Sequence, residues 1–361
     1  MLGGIAAAVA IILFVTAHEA GHFFAAKATG MKATEFFFGF GPRLWSTRKG
    51  ETEYGIKAVP LGGYVRIIGM NPLEEVAIED MGRTYREKKF WEKSVVVLAG
   101  VGTNFLIAFV MFLGIFLANG VTEPTTTINE VVPGSPAAEA GLEPGDQVVA
   151  IGEQPIESWE DITVGLTEAG PGPTTIGVER DGSVIYLDVV LEESETNPGT
   201  GYLGVSPEAQ NLPVGFFEGI GMAGQTVWSG IQDTFYSLYQ MFRPSSLAQY
   251  FGVLGGDTDV PNEIRPVSPI GIVSIGSQTA GDLTAFIGIL AYVNVILATI
   301  NLLPLFPLDG GHFAVAVYEK LTGREANMRK LMPVAAAVIG TLFFLGFVAI
   351  ILDIANPISF G

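Results

Sequence analysis

Four apolar runs, near residues 2–26, 95–119, 283–303 and 333–354, constrain this chain most. Each is close to the ~20 residues that a membrane-spanning helix needs. The third is weakly bounded, because Ala280, Gly281 and Asp282 precede it. Composition agrees: 49% of the 361 residues are hydrophobic and the mean hydropathy is +0.43, too apolar for an ordinary soluble protein. The first run has no basic leader and is expected to be a retained helix, not a cleaved signal. With no cysteine there is no disulfide framework and no thiolate metal site. A net charge of −18 disfavours nucleic-acid binding, which needs a basic footprint.

Inside the first run lies Thr16-Ala17-His18-Glu19-Ala20-Gly21-His22. On a helix His18 and His22 share a face, so both imidazoles can reach one metal ion. Glu19 stands beside the first of them, placed to take a proton from a water that the metal activates. A chance match, with the histidines serving only as core residues, is the competing reading. Two of the three histidines in the chain lie in this motif. Charged groups at a helix centre in lipid cost roughly 2.5–3.5 kcal/mol each, so such residues are usually functional. A metal site within the membrane is therefore expected.

Charge sets the expected orientation. Residues 27–93 hold 12 Lys and Arg, whereas 121–278 hold 3 against 22 Asp and Glu. Basic loops stay cytoplasmic, although long domains cross largely regardless of charge. Both termini and the acidic 121–278 region are then outside, with loops 27–94 and 313–332 inside. His18 lies about 24 Å along a helix that begins near Leu2, which puts it toward the cytoplasmic side.

The inside loop reads as β structure. Residues 53–60 lead through Pro60-Leu61-Gly62-Gly63 into 64–67, and 35–40 with 43–47 flank Gly41-Pro42 as a second hairpin. An open strand edge at Leu61, Gly62 and Gly63 would accept an extended peptide as a further strand; a plain hairpin with no substrate role is the alternative. Asn104, a lone amide in the second run beyond Gly100 and Gly102, either joins helices or faces the catalytic cavity, where it would contact substrate. Residues 214–242 have apolar and aromatic positions at helical spacing, suiting a helix on the soluble domain or on the membrane surface.

Between the second and third runs lies a module of about 85 residues (expected domains: 1–120, 121–208, 209–278, 279–361). It orders as strand 128–132, a short helix ended by Gly141, strand 148–151, helix 159–168, a hairpin 174–179/183–191 across Asp181-Gly182, and Gly201–Val205. This order, and the stretch SPAAEAGLEPGDQVVAIG, resembles a PDZ domain. Tyr202, Leu203, Gly204 and Val205 look like its carboxylate-binding loop, placed last as in the circularly permuted form. Such a module either grips a terminal carboxylate or acts as a steric filter, and its acidic surface favours the filter.

At the end of the third run comes Asn301-Leu302-Leu303-Pro304-Leu305-Phe306-Pro307-Leu308-Asp309-Gly310-Gly311-His312. A catalytic zinc takes three protein ligands and keeps one open position. His18, His22 and Asp309 supply such a set; His312 is the rival third ligand, and Asp309 could instead cap a helix.

HEAGH in the first run, NLLPLFPLDGGH in the third and a PDZ module between the second and third together resemble the site-2 protease family. The likeness covers nearly the whole chain. It implies a multi-pass α-helical membrane protein of about four spans, with a cytoplasmic-side β-hairpin loop and an inserted α+β PDZ domain. It implies one zinc ion on His18, His22 and Asp309, Glu19 as catalytic glutamate, and substrate contacts at Asn301 and the Leu61 loop. The activity implied is regulated intramembrane proteolysis in the cell membrane. The substrate implied is a single-span protein, such as an anti-sigma factor or signal-peptide remnant, already trimmed outside. A single PDZ departs from two-PDZ members, so a two-domain size filter does not carry over. Two other classes compete: an inactive PDZ scaffold, which would need none of the motif residues, and a metal transporter, which should show paired broken helices that this chain lacks.

Overall fold

A computed structural model describes residues 2–70, 74–194 and 197–358. The chain divides into two compact units, 1–115 with 217–361 and 116–216.

The first unit is mainly helical. It contains α1 (Leu2–Ala28), most of α2 (Phe90–Asn119), α8 (Leu283–Leu302) and α10 (Met328–Ala355). Among the described residues these are four helices long and apolar enough to cross a membrane, matching the four expected runs. Two strands separate α1 from α2: β1 (Ala33–Lys49) and β2 (Thr52–Ile67). Both are long and bent, and they pair twice. Residues 43–49 of β1 pair with 52–57 of β2 across Gly50, which takes φ 65°, as the tight turn requires. Residues 33–38 lie between the two halves of β2, with Phe36 opposite both Val65 and Tyr54. The two local hairpins expected about Gly41-Pro42 and Pro60-Leu61 are therefore not the pairing adopted. The apolar face of 33–38 decides this, because Phe36 joins Phe23, Ala26 and Val97 in a helix-backed core.

After the second unit come α5 (Phe216–Met241), α6 (Pro244–Leu254) and α7 (Pro269–Gln278). Small residues make the buried side of α5, Gly219, Ala223, Gly230 and Thr234. Gly230 faces Val295 and Tyr292 of α8, and the Tyr292 hydroxyl donates to Asp233 at 3.2 Å. This helix thus packs on the third apolar helix, which neither expectation for 214–242 named. The aromatic side chains Phe217, Trp228 and Tyr239 remain exposed. Helix α9 (Asp309–Thr322) starts at the acid of the second motif and ends at Gly323 in a left-handed C-cap.

The second unit holds β3 (Val121–Val131), α3 (Pro136–Glu139), β4 (Gln147–Ile151), β5 (Gln154–Pro155), α4 (Trp159–Ala169), β6 (Gly172–Arg180), β7 (Ser183–Glu193), β8 (Gly201–Tyr202) and β9 (Val205–Leu212). Their sheet runs β8-β7-β6-β4-β3-β9, with β5 on β4. Local chemistry explains the elements. Ser158 and Asp161 form a capping box that starts α4. Asp181 and Gly182, both at positive φ, make the two-residue turn between β6 and β7. Ile128, Val148, Ile162, Ile176, Val178 and Leu203 fill the core.

Candidate metal centre

His18 and His22 stand one turn apart on α1 and are buried, 6% and 4% exposed. Their Nε2 atoms are 3.1 Å apart. Asp309 Oδ2 lies 2.9 Å from His18 Nε2 and 3.2 Å from His22 Nε2. A tetrahedral zinc with bonds of 2.0–2.1 Å sets its ligand atoms about 3.3 Å apart, close to this triangle. His22 Nδ1 is 2.8 Å from the Val96 carbonyl, which can only accept. Nδ1 therefore carries the proton, and Nε2 turns a lone pair toward the other two ligand atoms. Two imidazole nitrogens and one carboxylate oxygen are a catalytic zinc donor set, and these residues can hold the ion.

Glycines bring the pieces together. A Cβ on Gly100 of α2 would collide with the His22 ring, and one on Gly21 would meet Thr103 and the Ala99 carbonyl. The two helices thus approach through Gly21 and Gly100. Gly102, two residues on from Gly100, has open space beside it. At the other motif, α8 stops at Leu302 and the chain folds back over the start of α9. Gly310 lies against the Leu302 and Leu303 carbonyls, and Gly311 against the backbone of Leu305 and Phe306. Only a residue without a side chain fits either place, so Asp309 is set at the first position of α9. Lys93 ties α2 to the far part of α9 through Glu319, at 2.9 Å. The His312 ring packs on Phe306, 4.8 Å between centroids, and is not among the converging ligand atoms.

Glu19 Oε2 accepts a hydrogen bond from the Val65 main-chain N–H at 3.1 Å. The 61–67 half of β2 is the strand beside α1: Gly62 lies against Val15, and Gly63 is close to Thr16. Leu61 belongs to that strand, and its side chain lies outside the described residues. On the same sheet, burial raises the Glu35 carboxyl, but hydrogen bonds from Tyr64 and Arg66 outweigh it and hold the group below its usual range. Asn301 is half-buried near the end of α8. Asn104 is 1% exposed, and its main-chain carbonyl accepts from the Asn294 amide at 2.8 Å. Sequence reasoning passed over Asn294, Val96 and Val65. Asn294 had a readable signal, an amide two turns before Asn301 in an apolar run; the other two act through backbone groups, which no side chain announces.

In the second unit Tyr202, Leu203, Gly204 and Val205 link β8 to β9. The Gly204 carbonyl accepts from Val132 N–H and that of Leu203 from Ala137 N–H, both at 2.9 Å. Gly204 takes φ 82°, and a Cβ there would strike Ser135.

A zinc-type ligand triangle held among helices long enough to cross a bilayer defines a candidate metal centre of a membrane protein. Residues 6–347 match the model of Peptidase family M50, and the chain belongs to that family. Zinc metalloprotease Rip1 of Mycobacterium bovis is 35% identical over 394 residues, covering 97% of this chain and 96% of its own. Its namesake in Mycolicibacterium smegmatis is 34% identical over 411 residues, covering 99% and 98%. A crystal structure of the PDZ domain of an SdrC-like protein from Listeria monocytogenes covers 24% of this chain at 20% identity, with a TM-score of 0.21, too low to establish a fold. This protein is accordingly an integral membrane zinc metalloendopeptidase of the site-2 protease type.

Proposed function

We propose that the enzyme cleaves single-span membrane proteins, such as an anti-sigma factor or a signal-peptide remnant, after a first cut outside. His18, His22 and Asp309 hold the zinc, and Glu19 carries the proton. The convergence of His18 Nε2, His22 Nε2 and Asp309 Oδ2 from α1 and α9 carries this reading. Zinc, when bound, supplies the Lewis acidity that makes water a nucleophile at neutral pH and polarises the scissile carbonyl. Glu19 removes one proton from the attacking water and delivers it to the leaving amide nitrogen as the C–N bond breaks. Its link to Val65 N–H fixes the carboxylate beside the strand edge. A peptide added along 61–67 as an extended strand would present its carbonyl there, unsheltered by helical hydrogen bonds. Asn301 contacts this unwound segment.

The charge asymmetry between 27–93 and 121–278 supports an acidic module outside and a site toward the cytoplasmic face. In this reading 121–208 is a PDZ module that excludes untrimmed substrates, since its acidity would repel a free carboxylate at Tyr202, Leu203, Gly204 and Val205. Replacing 127–207 by a short linker tests this. The expected result is cleavage of untrimmed substrate, with trimmed substrate still processed. Loss of trimmed-substrate cleavage in a variant that keeps its zinc would make the module a receptor instead.

A further inference from the structure

The two histidines differ in what supports them. His22 Nδ1 has the Val96 carbonyl, whereas His18 Nδ1 is buried with no hydrogen-bond partner among the described residues. A metal-bound imidazole needs an acceptor for its outer N–H, which fixes the tautomer and the ring. The buried acceptors left over are informative. Of the buried side-chain oxygens without a partner among the described residues, two are amide oxygens, Asn104 Oδ1 and Asn294 Oδ1. The two side chains are 1% and 0% exposed, and the Asn294 Nδ2 donates to the Asn104 carbonyl at 2.8 Å, so they are neighbours.

The helices bring this pair to the level of His18. Helices α1 and α2 run antiparallel. His22 meets Val96 and Gly100, while Phe14 shares a cluster with Ile107, Met111 and Leu290. His18 lies midway between Phe14 and His22, and Asn104 lies between those two stretches of α2. Asn104 is also one turn from Gly100, on the face that meets His22. Asn294 stands one turn from Leu290 on α8, which takes it from the Phe14 level toward the same layer.

We infer that Asn104, backed by Asn294, is the positioning residue that orients the His18 ring and so sets the affinity of the metal centre. One ordered water satisfies all three groups. It accepts from His18 Nδ1–H and donates one proton to each amide oxygen, giving the three partners typical of a buried water. In lipid no bulk solvent would otherwise relieve these atoms. The inference rests on His18 being a ligand, as proposed above.

Zinc affinity of the full-length protein in lipid nanodiscs, measured by competition with a chromophoric chelator, tests it. Asn104→Leu removes the acceptor at similar volume and should weaken zinc binding about 10–100-fold. Asn104→Asp keeps an acceptor oxygen and should restore most of the affinity. The metal-free proteins should melt alike, a readout that a helix-packing role would move instead. Unchanged affinity in Asn104→Leu, or equal losses in the Leu and Asp variants, overturns the inference. Asn104→Ala gives a second acceptor-free variant with the same two outcomes if the Leu variant does not fold. His18→Ala run alongside separates the claims: if it leaves zinc affinity intact, the ligand assignment itself fails.

Discussion

In the proposed reaction Glu19 moves one proton twice, from water to carboxylate and from carboxylate to the leaving nitrogen. Glu19→Gln keeps the size and a polar oxygen for Val65 N–H but cannot take a proton. The variant should bind zinc normally and lose at least about 10²-fold in activity. Metal analysis and a cleavage assay on the same preparation check both halves. Asp309 and His312 differ in a way the structure makes testable, because only Asp309 meets the histidine pair. Asp309→Ala should lower zinc content sharply, whereas His312→Ala should retain it. A fall confined to His312→Ala would reverse the assignment of the third ligand.

Within the β-rich unit, Asp146 is a buried group on which pH acts. Burial raises its carboxyl, but the Arg180 guanidinium and the Glu143 N–H outweigh this and hold it below the usual carboxylate range. It is 1% exposed, and Arg180 reaches it at 2.6 Å from both Nε and Nη2. A carboxylate depressed on folding contributes stability that is present above its unfolded pKa, about 3.9, and is lost as pH falls through the folded value. The unit should therefore loosen in acid below about pH 4, seen as faster hydrogen exchange over 121–212. Asp146→Asn should cost about 1.5–3 kcal/mol at neutral pH and remove much of that acid sensitivity. If the Asn variant keeps the same acid profile, the pair is not its source. Elements of this kind were legible from sequence because their signals are local: the Asp181-Gly182 turn, the Gly141 stop, and the four-residue spacing of the two histidines. The pairing of 33–38 between the halves of β2 was not, since both hairpin registers satisfy the same alternation and only the packing of Phe36 on α1 and α2 decides between them. Nor was the seat of α5, whose small-residue stripe shows a close approach without naming α8 as the partner.

For the whole molecule, Asp309 lies 287 positions beyond His22, so the three proposed ligands, His18, His22 and Asp309, become one site only when α1 and the start of α9 are brought together. The sequence announced both halves; the distance between them is a property of the fold alone. Gly21, Gly100, Gly310 and Gly311 permit that approach, so the chemistry depends on backbone contacts spread over the membrane unit. The claim that ties these together is zinc-dependent cleavage within a membrane segment. The direct measurement is mass spectrometry of the products from a trimmed single-span substrate, co-reconstituted in liposomes with the full-length enzyme. The expected products show a cut inside the apolar segment, loss of that cut with a zinc chelator, its return on adding zinc, and little of it with Glu19→Gln. Cleavage that persists in chelator and in Glu19→Gln, or that maps outside the apolar segment, would contradict it.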